Sequence, residues 1–115
     1  MKKQEIKIVS KLIKDLFSFF LAHGYVDINF ELKQVEENLL FIFKIKNLNS
    51  ELIELIKLKA NRERELEVET YGFELMGDID SKSELEIAGL LIDEVIVNQE
   101  NDFIVLSFVR KDRYL

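Results

Sequence analysis

Apolar and polar positions follow two periods along this chain, and the order of those periods predicts its elements. From residue 4 to residue 22, Ile6, Val9, Leu12, Ile13, Leu16, Phe17, Phe20 and Leu21 recur at three and four spacing. That is the period of a helix with one buried face. Lys7, Lys11, Lys14 and Asp15 fall largely on the other side, and Phe19 widens the apolar face. Gly24 is a helix stop, with His23 in the last turn, where the helix dipole favours a cation.

The period then changes to two. Across Val26–Val35, Ile28, Phe30 and Leu32 face one way, and Asp27, Asn29, Glu31 and Lys33 face the other. Glu36-Glu37-Asn38 reads as a polar turn. Behind it stands Leu39–Ile45, the densest run of β-branched and aromatic residues in the chain. Phe41, Phe43 and Ile45 share a face that is core throughout. Leu40 and Ile42 begin a second face that turns polar at Lys44 and Lys46. Residues 26–46 are therefore a β-hairpin.

Asn47-Leu48-Asn49-Ser50 is a capping cluster ahead of a helical stretch, 51–75, with a break near Ala60-Asn61. Gly77–Ser83 reads as a polar loop. Ser83, Glu84 and Glu86 open a short helix to about Ile92. A second hairpin follows, Glu94–Asn98 and Phe103–Arg110, and the tail 111–115 is expected to be loose. The order α-β-β-α-α-β-β predicts one α+β domain over 1–115. It is a two-layer sandwich whose four-stranded, mainly antiparallel sheet carries helices on one face.

Composition narrows the function classes. Of the 115 residues, 48% are apolar and 33% charged, which suits a soluble domain with a real core. No apolar run approaches the roughly 20 residues of a membrane span. Lys and Asp interrupt the first helix, unlike a signal peptide, so the expected location is cytoplasmic. There is no cysteine and only one histidine. That removes thiol chemistry and disfavours a His-based metal centre or triad. A net charge of −6 disfavours nucleic acid as a partner.

Four features resemble chemistry. Asp15 and His23 form a potential acid–base pair, but eight residues along a helix separates them by about 12 Å. Asp78, Asp80, Glu84 and Glu86 form an acidic cluster without the spacing of an EF-hand, and a solvated loop with a capping pattern explains it better. Gly89 is a lone glycine, where a phosphate cradle uses several; close packing is its ordinary role. Arg62-Glu63-Arg64-Glu65 followed by Tyr71-Gly72-Phe73 is either a solvated helix face or a charged ridge beside aromatics. The second arrangement suits a protein interface through Arg62, Arg64, Glu65, Tyr71 and Phe73.

The element order, together with two short motifs, resembles the GHKL ATPase fold of histidine kinases and small anti-sigma-factor kinases. Phe20-Leu21-Ala22-His23-Gly24-Tyr25 looks like the N-A-x-x-H-G-Y ending of the first helix in the anti-sigma kinases. Ile87-Ala88-Gly89-Leu90-Leu91-Ile92-Asp93-Glu94-Val95 looks like their G-L-x-L-x-x-x-x-D-E-V stretch, and Phe103–Lys111 like their last strand. The resemblance implies ATP with Mg²⁺ in a pocket marked here by Asp15, Phe19, Asn47 and Gly89. This chain departs from it in just those places. The family glutamate falls on Asp15, and the metal-holding asparagine on Phe19, which cannot ligate a cation. Lys44-Ile45-Lys46-Asn47-Leu48-Asn49 offers neither the adenine-binding aspartate nor its glycines. Of the second glycine box only Gly89 is left.

The expected function is therefore a noncatalytic regulatory module of a bacterial cytoplasm. It keeps an ATPase-like scaffold without cofactor or metal, and it binds a protein partner or its own copy. Two alternatives stand beside it. One is a divergent serine kinase or ATPase with Asp15 as general base. The other is a small-ligand sensor using the relict pocket.

Overall fold

A computed structural model describes residues 1–60 and 84–111. Helix α1 is Lys3–Ala22, strand β1 Ile28–Val35, strand β2 Asn38–Lys46 and helix α2 Ser50–Ala60. Helix α3 is Glu84–Leu91, strand β3 Glu94–Glu100 and strand β4 Phe103–Lys111. The fold is α+β in the expected order. Its strands form one antiparallel sheet in the order β1-β2-β4-β3. None of the described helices is long and apolar enough to cross a membrane.

Local chemistry sets the element ends. At the end of α1, Tyr25 N–H donates to Phe20 O and Gly24 N–H to Leu21 O, both at 3.0 Å. This is a Schellman closure, which needs a left-handed residue at the position Gly24 fills with φ +86°. Strand β1 begins at Ile28 rather than at the expected Val26, which is exposed. The turn between β1 and β2 is only Glu36-Glu37, with Glu36 at φ 56°. Asn49 caps α2, its Oδ1 accepting from Glu51 N–H at 2.8 Å and Leu52 N–H at 3.3 Å. β3 runs on to Glu100, leaving a turn of Asn101-Asp102. The expected helical character of 61–75, the loop 77–83 and the tail from 112 onward lie outside the described residues.

The core sits between the helices and the face of the sheet that carries Phe41, Phe43 and Ile45, all fully buried. Register places Phe43 between Phe30 on one side and Leu106 on the other. The Phe43 ring meets Phe17 and Phe20 of α1 at 5.1 and 5.3 Å, Phe30 of β1 at 4.8 Å and Phe108 of β4 at 5.8 Å. These are the offset and edge-on separations that aromatic quadrupoles favour.

A polar clamp fixes the other end of α1. Arg110 is 2% exposed. Its Nε and Nη2 donate to the two carboxylate oxygens of Glu5, each at 2.8 Å, and its Nη1 donates to Leu91 O at 2.7 Å. One planar fork thus joins the start of α1, the end of α3 and β4. Asp93 performs a similar service for the second hairpin, its N–H donating to Val109 O and its Oδ2 accepting from Lys111 N–H.

Two placements on α1 correct the sequence reading. Asp15, assigned to the polar side, lies on the buried stripe between Leu12 and Phe19 and is 7% exposed. Ile6 and Leu21, assigned to the core, are half exposed. α1 packs against α3 and, through Phe17 and Phe20, against the sheet, so its buried face is wider than the two-sided pattern implies. The amphipathic pattern gives the period of the buried face, while the packing of neighbouring elements sets its width.

Replacing Phe43 with Ala removes the ring shared by these elements. We expect a loss of about 3–5 kcal/mol in chemical denaturation, from lost burial and the cavity left behind. A loss below about 1 kcal/mol would mean that the sheet and helices are not registered on this ring.

Candidate functional site

Among the described residues, a recess opens where α1 ends. The Schellman turn leaves His23 and Tyr25 beside the N-terminus of α2. Asn49 N–H donates to Tyr25 Oη at 2.9 Å, so the turn after α1 and the cap of α2 hold one another. A hollow of about 600 Å³ results, lined by His23, Tyr25, Asn49, Glu51, Leu52 and Leu55. A second, of about 560 Å³, lies between α1, α2 and α3, lined by Phe19, Ala22, His23, Leu55, Lys59, Leu85 and Glu86. They share His23 and Leu55 and form one trough.

The trough has an apolar floor and a charged rim. Phe19 is buried, its ring 5.3 Å from Phe20 and 4.6 Å from the imidazole of His23. His23 Nδ1 lies 2.9 Å from Phe19 O. A carbonyl can only accept, so Nδ1 carries the proton, and Nε2 is the acceptor in the neutral ring. Lys59 of α2 and Glu86 of α3 pair across the trough at 2.9 Å.

The residues marked by the family resemblance do not gather in one place. Phe19 lines the trough. Asn47 is exposed at the end of β2 with φ 56°, its N–H donating to Asp102 O at 2.8 Å. It lines neither hollow; Asn49 does. Asp15 lines neither hollow. Gly89 is buried against α2, and a Cβ built on it would clash with Lys59 O. The glycine therefore serves close backbone approach between α3 and α2. Arg62, Arg64, Glu65, Tyr71 and Phe73, and the acidic Asp78 and Asp80, lie outside the described residues. Among the described residues no three His, Cys, Asp or Glu side chains are grouped to hold a metal ion.

Sequence reasoning passed over Tyr25, Asn49, Leu55 and Lys59 as site residues. Asn49 carried a signal as a cap, but the placement of Tyr25 and Lys59 depends on how α1, α2 and α3 meet. The arrangement offers apolar contact, one imidazole and one ion pair. Among the described residues it offers no nucleophile held by a base.

Asp15 is electrostatically uncomfortable. Burial raises its carboxyl above the ordinary 3.8, with Lys11 and Lys14 working against that shift. Among the described residues none supplies it a hydrogen bond.

No family model matches the chain, no curated protein matches it, and no solved structure matches its fold.

Two outcomes follow from this geometry. A methyl at residue 89 must displace the Lys59 backbone, so Gly89→Ala should destabilise by about 1–3 kcal/mol, read by urea denaturation. Asp15→Asn removes a charge that burial penalises. A raised folded-state value means the folded form holds its proton longer, so wild-type stability falls as pH rises from 3.8 through that value. Asp15→Asn should therefore melt higher than wild type at pH 7, with the difference closing below about pH 3.8. A lower melting temperature for the variant at pH 7 would mean that the ionised carboxylate is favourably used.

Proposed function

We propose that this chain is a noncatalytic regulatory module that binds a protein partner through the trough, on a scaffold resembling the GHKL ATPases. The observation that carries the reading is the contact of Gly89 with Lys59 O. The one glycine left from the phosphate-binding box is backed onto the main chain of α2 by its side-chain face, which gives it a close-packing role and leaves no need for a phosphate to explain it. Phe19 at the metal-ligand position supports the same conclusion. An apolar floor at Phe19, Leu55 and Leu85, rimmed by His23, Lys59 and Glu86, suits an apolar side chain of a partner flanked by charges of both signs. The cysteine-free composition agrees with a cytoplasmic setting.

One observation favours a second reading. A recess of about 600 Å³ with mixed apolar and polar walls is also the size of a small-ligand pocket, which would make the chain a sensor. The kinase reading, with Asp15 as base, lacks such support, because Asp15 faces neither hollow.

Thermal denaturation with and without millimolar Mg²⁺–ATP separates the kinase from the noncatalytic readings. We expect no shift in melting temperature. A site occupied well above its dissociation constant stabilises by mass action, so a reproducible Mg²⁺-dependent rise of several degrees, abolished by Asp15→Ala, would overturn the noncatalytic reading in favour of the kinase.

A further inference from the structure

Among the described residues strand β1 is an edge of the sheet, and its sequence is suited to pairing with itself. The two-residue turn closes on the pair Val35–Asn38. In an antiparallel hairpin that closing pair is the hydrogen-bonded one, so Asn29, Glu31, Lys33 and Val35 bond to β2. The N–H and C=O groups of Ile28, Phe30, Leu32 and Gln34 then point outward along the free edge. β1 carries no proline and is paired residue for residue with β2 throughout, so it lacks the proline and the bulge that commonly protect such edges.

Charge selects the register of a two-fold pairing. An axis through Glu31 or Lys33 sets like charges directly opposite. An axis through Leu32, beside the midpoint of the eight-residue strand, sets Glu31 against Lys33 of the second copy, twice by symmetry. It makes Leu32 a hydrogen-bonded pair with its own mate, and Glu31–Lys33 the closer, non-bonded pair. The other edge is the reverse case. Self-pairing of β3 about Val97 sets Glu94 against Glu100.

An independent feature lies above the same edge. Ile6, Ile13, Phe17 and Leu21 form a stripe on α1 at helical spacing. Ile6 and Leu21 are each 51% exposed, and Leu32 beneath is 43% exposed. The 5.3 Å contact of Phe17 with Phe30 locates the stripe over β1. Strand pairing alone buries too little for a stable dimer, and this flank supplies further apolar area.

We propose that two copies of this chain associate through the free edges of β1 about a two-fold axis at Leu32, with the exposed flanks of α1 closing over the join. The sheet then runs through eight strands, and the trough remains open on each copy. The proposal rests on the reading of the chain as a protein-binding module, and it names one partner for a surface distinct from the trough.

Sedimentation equilibrium of the full chain, from micromolar to millimolar concentration, tests it. The wild type should dimerise. Glu31→Lys and Lys33→Glu should each weaken the dimer by about tenfold or more, since each sets like charges opposite. An equimolar mixture of the two variants should recover it. One copy then carries lysine at both positions and the other glutamate at both, so every facing pair is again of opposite sign. Leu32→Pro removes only an outward N–H, which an edge strand tolerates, and should give a folded monomer by circular dichroism. A wild type that stays monomeric at millimolar concentration overturns the proposal but leaves the noncatalytic reading, which the nucleotide test addresses, untouched. A dimer indifferent to both charge reversals, or variants that fail to recover on mixing, also overturns it, whether or not the proline variant folds.

Discussion

Helix layer and sheet are registered on one another through the ring of Phe43. Four other rings, from α1, β1 and β4, meet it within 5.8 Å. A ring this crowded has no free direction in which to slip. The pairing of β2 with both neighbours is therefore fixed as firmly by side chains as by the backbone ladder, since a one-residue slip would turn Phe43 to the outer face. Arg110 completes the constraint at the far end. Its fork holds Glu5 and the Leu91 carbonyl, so α1 is pinned by an aromatic cluster near its C-terminus and by an ion pair near its N-terminus.

That double attachment gives α1 two working sides. One carries the buried Asp15 and Phe19 and packs against α3, which in turn packs closely on α2 at Gly89 and Lys59. The other overhangs β1 and leaves Ile6 and Leu21 half exposed. The helix thus presents an apolar flank beside a strand edge that is unpaired among the described residues.

Much of this was legible in the sequence, and the reasons are local. Strict alternation in 28–33 and the aromatic run at 39–45 required strands. Gly24 required a helix stop, because the Schellman turn needs a left-handed residue there. Asn49 required a cap. The parts that were not legible depend on contacts distant in the chain. Nothing near Asp15 in the sequence distinguishes a buried aspartate from Lys11 and Lys14 beside it; its burial depends on tertiary packing. Arg110 reads as an ordinary polar end to a strand, and its partner Glu5 lies 105 positions away. The trough needed Tyr25, Asn49 and Lys59 to be brought together by three helices, and periodicity within each helix carries no such information.

If the chain acts through protein contacts, the edge of β1 is a surface held ready for them. Amide hydrogen exchange along β1, followed across a series of protein concentrations, reads this residue by residue. If the edge pairs, the outward amides of Phe30, Leu32 and Gln34 become protected as concentration rises, while those of Asn29, Glu31 and Lys33, already bonded to β2, stay protected throughout. If Phe30, Leu32 and Gln34 exchange equally fast at every concentration, the edge is unoccupied and the claim is contradicted.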